Sequence, residues 1–304
     1  MILIRIVIRG QALMIDSITY KWLRIKDNPK DYNMVHIADK TFLSCIVFEV
    51  IGIMTMMFLG AVGAEMMIYL MTFLYSFFIC RKHKDSIHVP IEKIEAGKTF
   101  HALGMAVCGV PVAMLLNAFG CMFSNSGAEM SEDVNIYPVG LAVIVFAIVP
   151  AIVEEYIFRG AILGAYMNVD VKASILISSI FFALLHFSLG SVLYGFLFGC
   201  LFAYVRIVTG NMLYSIIMHC AFNSVNVLLS YANIENVPVW TALLLLGIGL
   251  IGFVVLTVAF FKAHGTEMSM KRNKGKYKPY EMIAKEGYIA VGICIVIMYM
   301  LLMM

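Results

Sequence analysis

Charge is what this sequence has least of. Asp, Glu, Lys and Arg make up 13% of its residues, where a soluble domain carries about 25%. With 62% hydrophobic residues and a mean hydropathy of +0.91, the chain reads as an integral membrane protein built of helices. The net charge of only +3 gives no reason to expect a nucleic-acid partner; the partners expected are the lipid bilayer and a substrate met within it. A cysteine framework is missing as well. Cys45, Cys80, Cys108, Cys121, Cys200, Cys220 and Cys294 are scattered, with no CxxC pair, and read as small packing residues. Also lacking are an HExxH zinc signature, an inverted repeat of the transporter kind and any low-complexity segment. The opening residues are not expected to form a signal peptide, because Arg5 and Arg9 interrupt the apolar run and no small-residue cleavage site follows. An amphipathic or interfacial segment is expected there.

What is abundant is apolar sequence in long runs, and methionine, at 23 residues, which suits adaptable packing. The pattern predicts an all-α protein, a polytopic transmembrane helical bundle with about eight or nine spans. After a basic interfacial segment at 1–40, N-terminal transmembrane helices fill 41–136, with spans at 41–62, 66–80 and 99–123 and a break at Gly63-Ala64-Glu65. A core follows at 137–232, with spans at 137–167, 173–189, 191–208 and 211–231. The remainder, 233–304, holds a span at 238–261, a basic loop at 262–286 and a last apolar run. Basic residues outside spans favour the cytoplasmic side. Placing 1–40 inside puts 81–98, Lys172, Arg206 and 262–286 inside as well, and leaves acidic 124–136 and Glu235 outside. The N-terminus is therefore expected in the cytoplasm.

Against this background the polar interruptions stand out. Glu154, Glu155 and Arg159 sit inside the run 137–167. Each such residue costs roughly 2.5–3.5 kcal/mol at membrane depth on insertion scales, so it is there for function or for a tight internal pair. Successive helical residues lie about 100° apart, so the two glutamates point different ways. Glu155 and Arg159, four apart, share a face and can pair; Glu154 is left for other work, such as that of a general base. Phe182 and His186 repeat the four-residue spacing, and so do His219 and Asn223.

A base, a donor and an amide in three successive helices suffice for hydrolysis. Glu154 would take a proton from water, hydroxide would attack an amide carbonyl, and His and Asn N–H groups would hold the oxyanion. No cofactor is favoured on this route. Zinc held by Glu154, His186 and His219 with an open fourth position is the metal alternative. A blander alternative makes both glutamates and Arg159 one structural ion cluster. Glycines four apart, Gly160 with Gly164 and Gly195 with Gly199, would let helix backbones approach closely.

The ordered set Glu154-Glu155-Tyr156-Ile157-Phe158-Arg159, Phe182-Ala183-Leu184-Leu185-His186 and His219-Cys220-Ala221-Phe222-Asn223 resembles the EExxxR, FxxxH and HxxxN/D pattern of the CPBP family of intramembrane proteases. That family takes in the CAAX prenyl endopeptidases of the Rce1 type and the bacterial Abi proteins of bacteriocin processing and self-immunity. The likeness covers about residues 150–226. It implies an endopeptidase in which Glu154 activates water with His186, His219 and Asn223 form the oxyanion site, and Glu155, Arg159 and Phe182 support them. The substrate implied is a membrane-associated one, a prenylated CAAX protein or a leader peptide. The compact, apolar chain looks more like the Abi branch, which implies a bacterial cytoplasmic membrane. Two readings compete: a non-catalytic self-immunity protein, and a proton-coupled transporter using the buried Glu and His residues.

Overall fold

The computed structural model describes residues 29–123, 134–232, 238–270 and 288–302. Those residues form helices and no strand, as expected of an all-α bundle; a helix satisfies its own backbone in lipid and an open sheet edge does not. In chain order the helices are α1 (Pro29–Lys82), α2 (Ala96–Cys121), α3 (Val139–Tyr166), α4 (Val171–Leu184), α5 (Leu189–Thr209), α6 (Met212–Tyr231), α7 (Val239–Met270) and α8 (Tyr288–Leu302).

Six of these are long and apolar enough to cross a membrane, fewer than the eight or nine spans expected. The two spans expected at 41–62 and 66–80 belong to one helical element, α1. Its break is at Gly60 (φ 70°, ψ 169°) and not at residues 63–65. That backbone region is open essentially to glycine alone. The chain doubles back there: Gly52 lies under Ile68, and the Phe48 and Tyr75 rings meet at 6.0 Å. Each leg is still about as long as a bilayer crossing. The span expected at 173–189 is the 14-residue α4, and the last run is the 15-residue α8; both are short of the ~20 residues a crossing needs.

Two other boundaries move. Of the interfacial segment expected at 1–40, residues 29–40 are the start of α1, and 1–28 lie outside the described residues. Of the basic loop expected at 262–286, α7 carries the helix on through Met270, and 271–287 lie outside the described residues. A helix need not end where hydrocarbon ends, and Lys262 can reach the interface on its own stem.

Close packing concentrates on α5. Gly199 sits so near α4 that a Cβ there would stand 3.0 Å from that of Ser179, and Gly195 lies against Ala183. The expected Gly195/Gly199 face is thus the α4–α5 contact. On the other side α5 meets α2, where Gly109 faces Phe198. α7 is joined to α2 through Gly249 on Pro111 and Gly252 on Cys108. A second core joins α1, α3 and α4: the Phe42 and Phe181 rings stack at 4.0 Å, and the Tyr166 hydroxyl donates to Asp39.

One end of the bundle is fastened by the loop after α1. Met212 N–H donates to the Pro90 carbonyl (2.8 Å), Asn211 Nδ2 to that of Glu92 (2.8 Å), and Asn168 Nδ2 to that of Ser86 (2.7 Å). The junctions α1–α2, α3–α4 and α5–α6 therefore share one end, the end that carries Arg81, Lys82, Lys84, Lys93 and Lys172. Asp170 caps α4 by accepting from Ala173 N–H (2.8 Å), and Asn211 caps α6 by accepting from Leu213 N–H (3.0 Å). Both are sequence-local N-caps.

Candidate active site

α3 is not a uniform α-helix. Residues 144–148 and 156–162 are wider π turns. Pro150, at the start of the α-helical stretch Val149–Glu155, has no N–H to give to the turn before it, which accounts for the first of them. The second carries Arg159 and begins directly after the two glutamates. Such turns recur at functional sites, and nothing in the residue spacing announced them.

Glu155 and Arg159 are both fully buried and pair at 3.2 Å (Oε1 to Nη1), as their spacing predicted. The pair is part of a larger set. The same Glu155 Oε1 accepts from Nδ1 of His219 at 3.1 Å, across from α3 to α6. Arg159 Nη2 donates to the Gly199 carbonyl of α5 (3.1 Å), and its guanidinium lies 4.4 Å from the Phe182 ring centroid. One buried carboxylate thus ties three helices together, and Gly199 serves both as spacer and as acceptor.

Glu154 does take another direction. Its side chain keeps 21% exposure, and its Oε2 stands 3.7 Å from Nε2 of His219. With Nδ1 of His219 turned to Glu155, Nε2 is the ring nitrogen that faces Glu154. The ring itself is held flat against Phe202 (centroids 5.0 Å, 28°) and edge-on to Phe182 (5.6 Å).

His186 follows the end of α4 rather than lying within it. Its Nδ1–H donates to the Phe182 carbonyl at 2.9 Å, and its ring meets Phe182 edge-on at 4.9 Å. Here Nε2 is left as an acceptor. Phe187 next to it has φ 51°, in the left-handed region that bulky side chains avoid, and turns the chain sharply into α5. Phe182 therefore touches Arg159, His186 and His219 at once. Asn223 lies one turn beyond His219 on α6, half-buried, with no hydrogen bond among the described residues.

Three residues were not picked out in the sequence. The α1 hairpin brings Glu49 and Glu65 within electrostatic range of Glu154, and Tyr69 donates to Glu65 at 3.1 Å. Tyr69 also lies within range of Glu154. The signal was available, since a carboxylate within an apolar run is costly wherever it falls. Among the described residues no three His, Cys, Asp or Glu side chains are grouped so as to hold one ion.

Fold and site together define a helical membrane protein with a carboxylate–imidazole site buried between its helices. Residues 137–225 match the model of a family described as type II CAAX prenyl endopeptidase Rce1-like. The matched segment runs from the start of α3 past Asn223 and holds all three motifs. That segment, under a third of the chain, is what is similar to the Rce1-like endopeptidases. No curated protein and no solved structure matches the chain.

Proposed function

We propose that this protein is an endopeptidase that hydrolyses a peptide bond of a membrane-associated substrate with a water activated by Glu154. The observation that carries the reading is the division of labour between the adjacent glutamates: Glu155 is buried and bound to Arg159 and His219, while Glu154 stays partly exposed beside His219 Nε2.

The chemistry runs on the protein's own groups. Glu154 accepts a proton from water, and the hydroxide adds to the scissile carbonyl. His186, its Nδ1–H anchored on the Phe182 carbonyl, offers Nε2 as an acceptor that orients that water. Asn223 has an unengaged amide on the same side of α6 as His219 and donates to the oxyanion. The proton taken by Glu154 can pass to His219 Nε2, which then donates to the oxyanion too. The leaving nitrogen takes that proton as the C–N bond breaks. Glu155, Arg159 and Phe182 are positioning residues that hold the His219 ring. The substrate classes supported by the family match are prenylated CAAX peptides and, by the chain's compactness, leader peptides. The fastened, basic end of the bundle faces the cytoplasm in this reading, in a bacterial cytoplasmic membrane.

The test is cleavage of both peptide classes by purified wild type and Glu154→Gln, with and without a zinc chelator. Loss of about 10²–10⁴-fold in the variant, with unchanged thermal stability and indifference to chelator, is the expected result. Equal cleavage by the variant removes Glu154 from the base role. Loss in chelator with recovery on adding zinc replaces the metal-free route.

A further inference from the structure

The seam between α3 and α5 runs on past the glutamates and opens at the basic end into a cavity of about 410 Å³. Its wall includes Ser86, His88 and Glu92 of the fastening loop, Gly164 and Asn168 at the end of α3, and Arg206 of α5. Charge bias placed Arg206 on the cytoplasmic side. It lies in the last turn of α5 and is only 5% exposed.

Its surroundings are unusual for a buried cation. Nη2 donates to the His88 carbonyl at 2.8 Å, and Nη1 rests on the Met167 sulfur. Nε has no hydrogen-bond partner, and no carboxylate pairs with Arg206 among the described residues. Glu92 shares the wall but is exposed and makes no ion pair with it. A buried guanidinium with no counter-charge is costly, and here it lines a cavity large enough for a polar headgroup. At the same end Arg81, Lys82, Lys84, Lys93, Lys98 and Lys172 outnumber Asp85, Glu92, Glu95 and Asp170, so the surrounding field favours anions. Arginine's planar fork matches phosphate geometry, and basic pockets between transmembrane helices suit phosphate-bearing headgroups.

We propose that this cavity is a phosphate-binding site, with Arg206 as the counter-charge, filled by the headgroup of an anionic membrane lipid or by free phosphate. The site lies about two and a half helical turns along α3 from Glu155 and shares no residue with the hydrolytic one.

The test uses the full chain in neutral detergent and reads the thermal unfolding midpoint. Wild type, Arg206→Gln and Ser86→Asp are each titrated with phosphatidylglycerol, phosphatidylcholine and inorganic phosphate. Phosphatidylglycerol should raise the wild-type midpoint by about 3–6 °C, and phosphatidylcholine should not. Arg206→Gln should lose the rise. Ser86→Asp, which supplies a carboxylate in the wall, should raise the midpoint without lipid and lose the response. A matching rise with inorganic phosphate identifies the free ion as sufficient; a rise with the lipid alone identifies the headgroup. No rise in wild type, or an equal rise with phosphatidylcholine, overturns the proposal. So does a full response retained in Ser86→Asp, which decides the matter should Arg206→Gln fail to fold.

Discussion

Arg159 and Arg206 are both buried arginines on the α3–α5 seam, and the protein treats them in opposite ways. Arg159 has a carboxylate at 3.2 Å, a carbonyl at 3.1 Å and an aromatic face at 4.4 Å. Arg206 has a carbonyl, a sulfur and a cavity. The first charge is neutralised inside the protein, so its neighbourhood is rigid and can hold an imidazole in place. The second has no counter-charge among the described residues. A buried charge with its partner built in is scaffolding; one without is an invitation to a ligand.

The largest expected effect comes from making the first region like the second. Glu155→Gln leaves Arg159 without its counter-charge and should cost about 3–5 kcal/mol in unfolding measured in detergent. Cleavage should fall with it, since Nδ1 of His219 loses its charged acceptor. Removing both charges is the sharper experiment. Glu155→Gln combined with Arg159→Met should be more stable than Glu155→Gln alone, because no orphaned charge remains, while cleavage stays low. A double variant no more stable than the single would break the comparison, for the pair would then not be an energetic unit. Smaller still is Phe182→Leu, which removes the ring under Arg159 but keeps apolar volume. A loss of about 0.5–2 kcal/mol is expected, with a larger drop in kcat than in substrate affinity, since both histidines lean on that ring.

How much of this was legible in the sequence follows the range of the interactions. The Glu155–Arg159 pair was readable because it spans one turn. So was the separate direction of Glu154, which is only a matter of helix angle. The three motifs were readable as a set, and they fall inside the segment that matches the Rce1-like family. The Glu155–His219 bond was not, because it joins residues 64 apart on different helices. Glu49 and Glu65 reach the site only because Gly60 folds α1 back on itself, and the hairpin is set by one glycine dihedral rather than by any apolar pattern. The excess in the expected span count lies in the short helices: hydropathy counts apolar runs, and the shortness of α4 and α8 is not visible to it. The burial of Arg206 was not legible because a charge rule assigns a side to a residue without asking what it touches.

The shortness of α4 has a further meaning. Its 14 residues rise about 21 Å, against ~30 Å of hydrocarbon. The chain gives up its helix at Leu184, turns through Phe187, and sets off again at Leu189. Irregular backbone at that depth is tolerated only where it is buried in protein or lines a water-filled space. Hydrolysis is a reaction short of one reagent in a bilayer. A helix that stops early, with His186 just past its end, is where a protein of the proposed function could let that reagent through the oil.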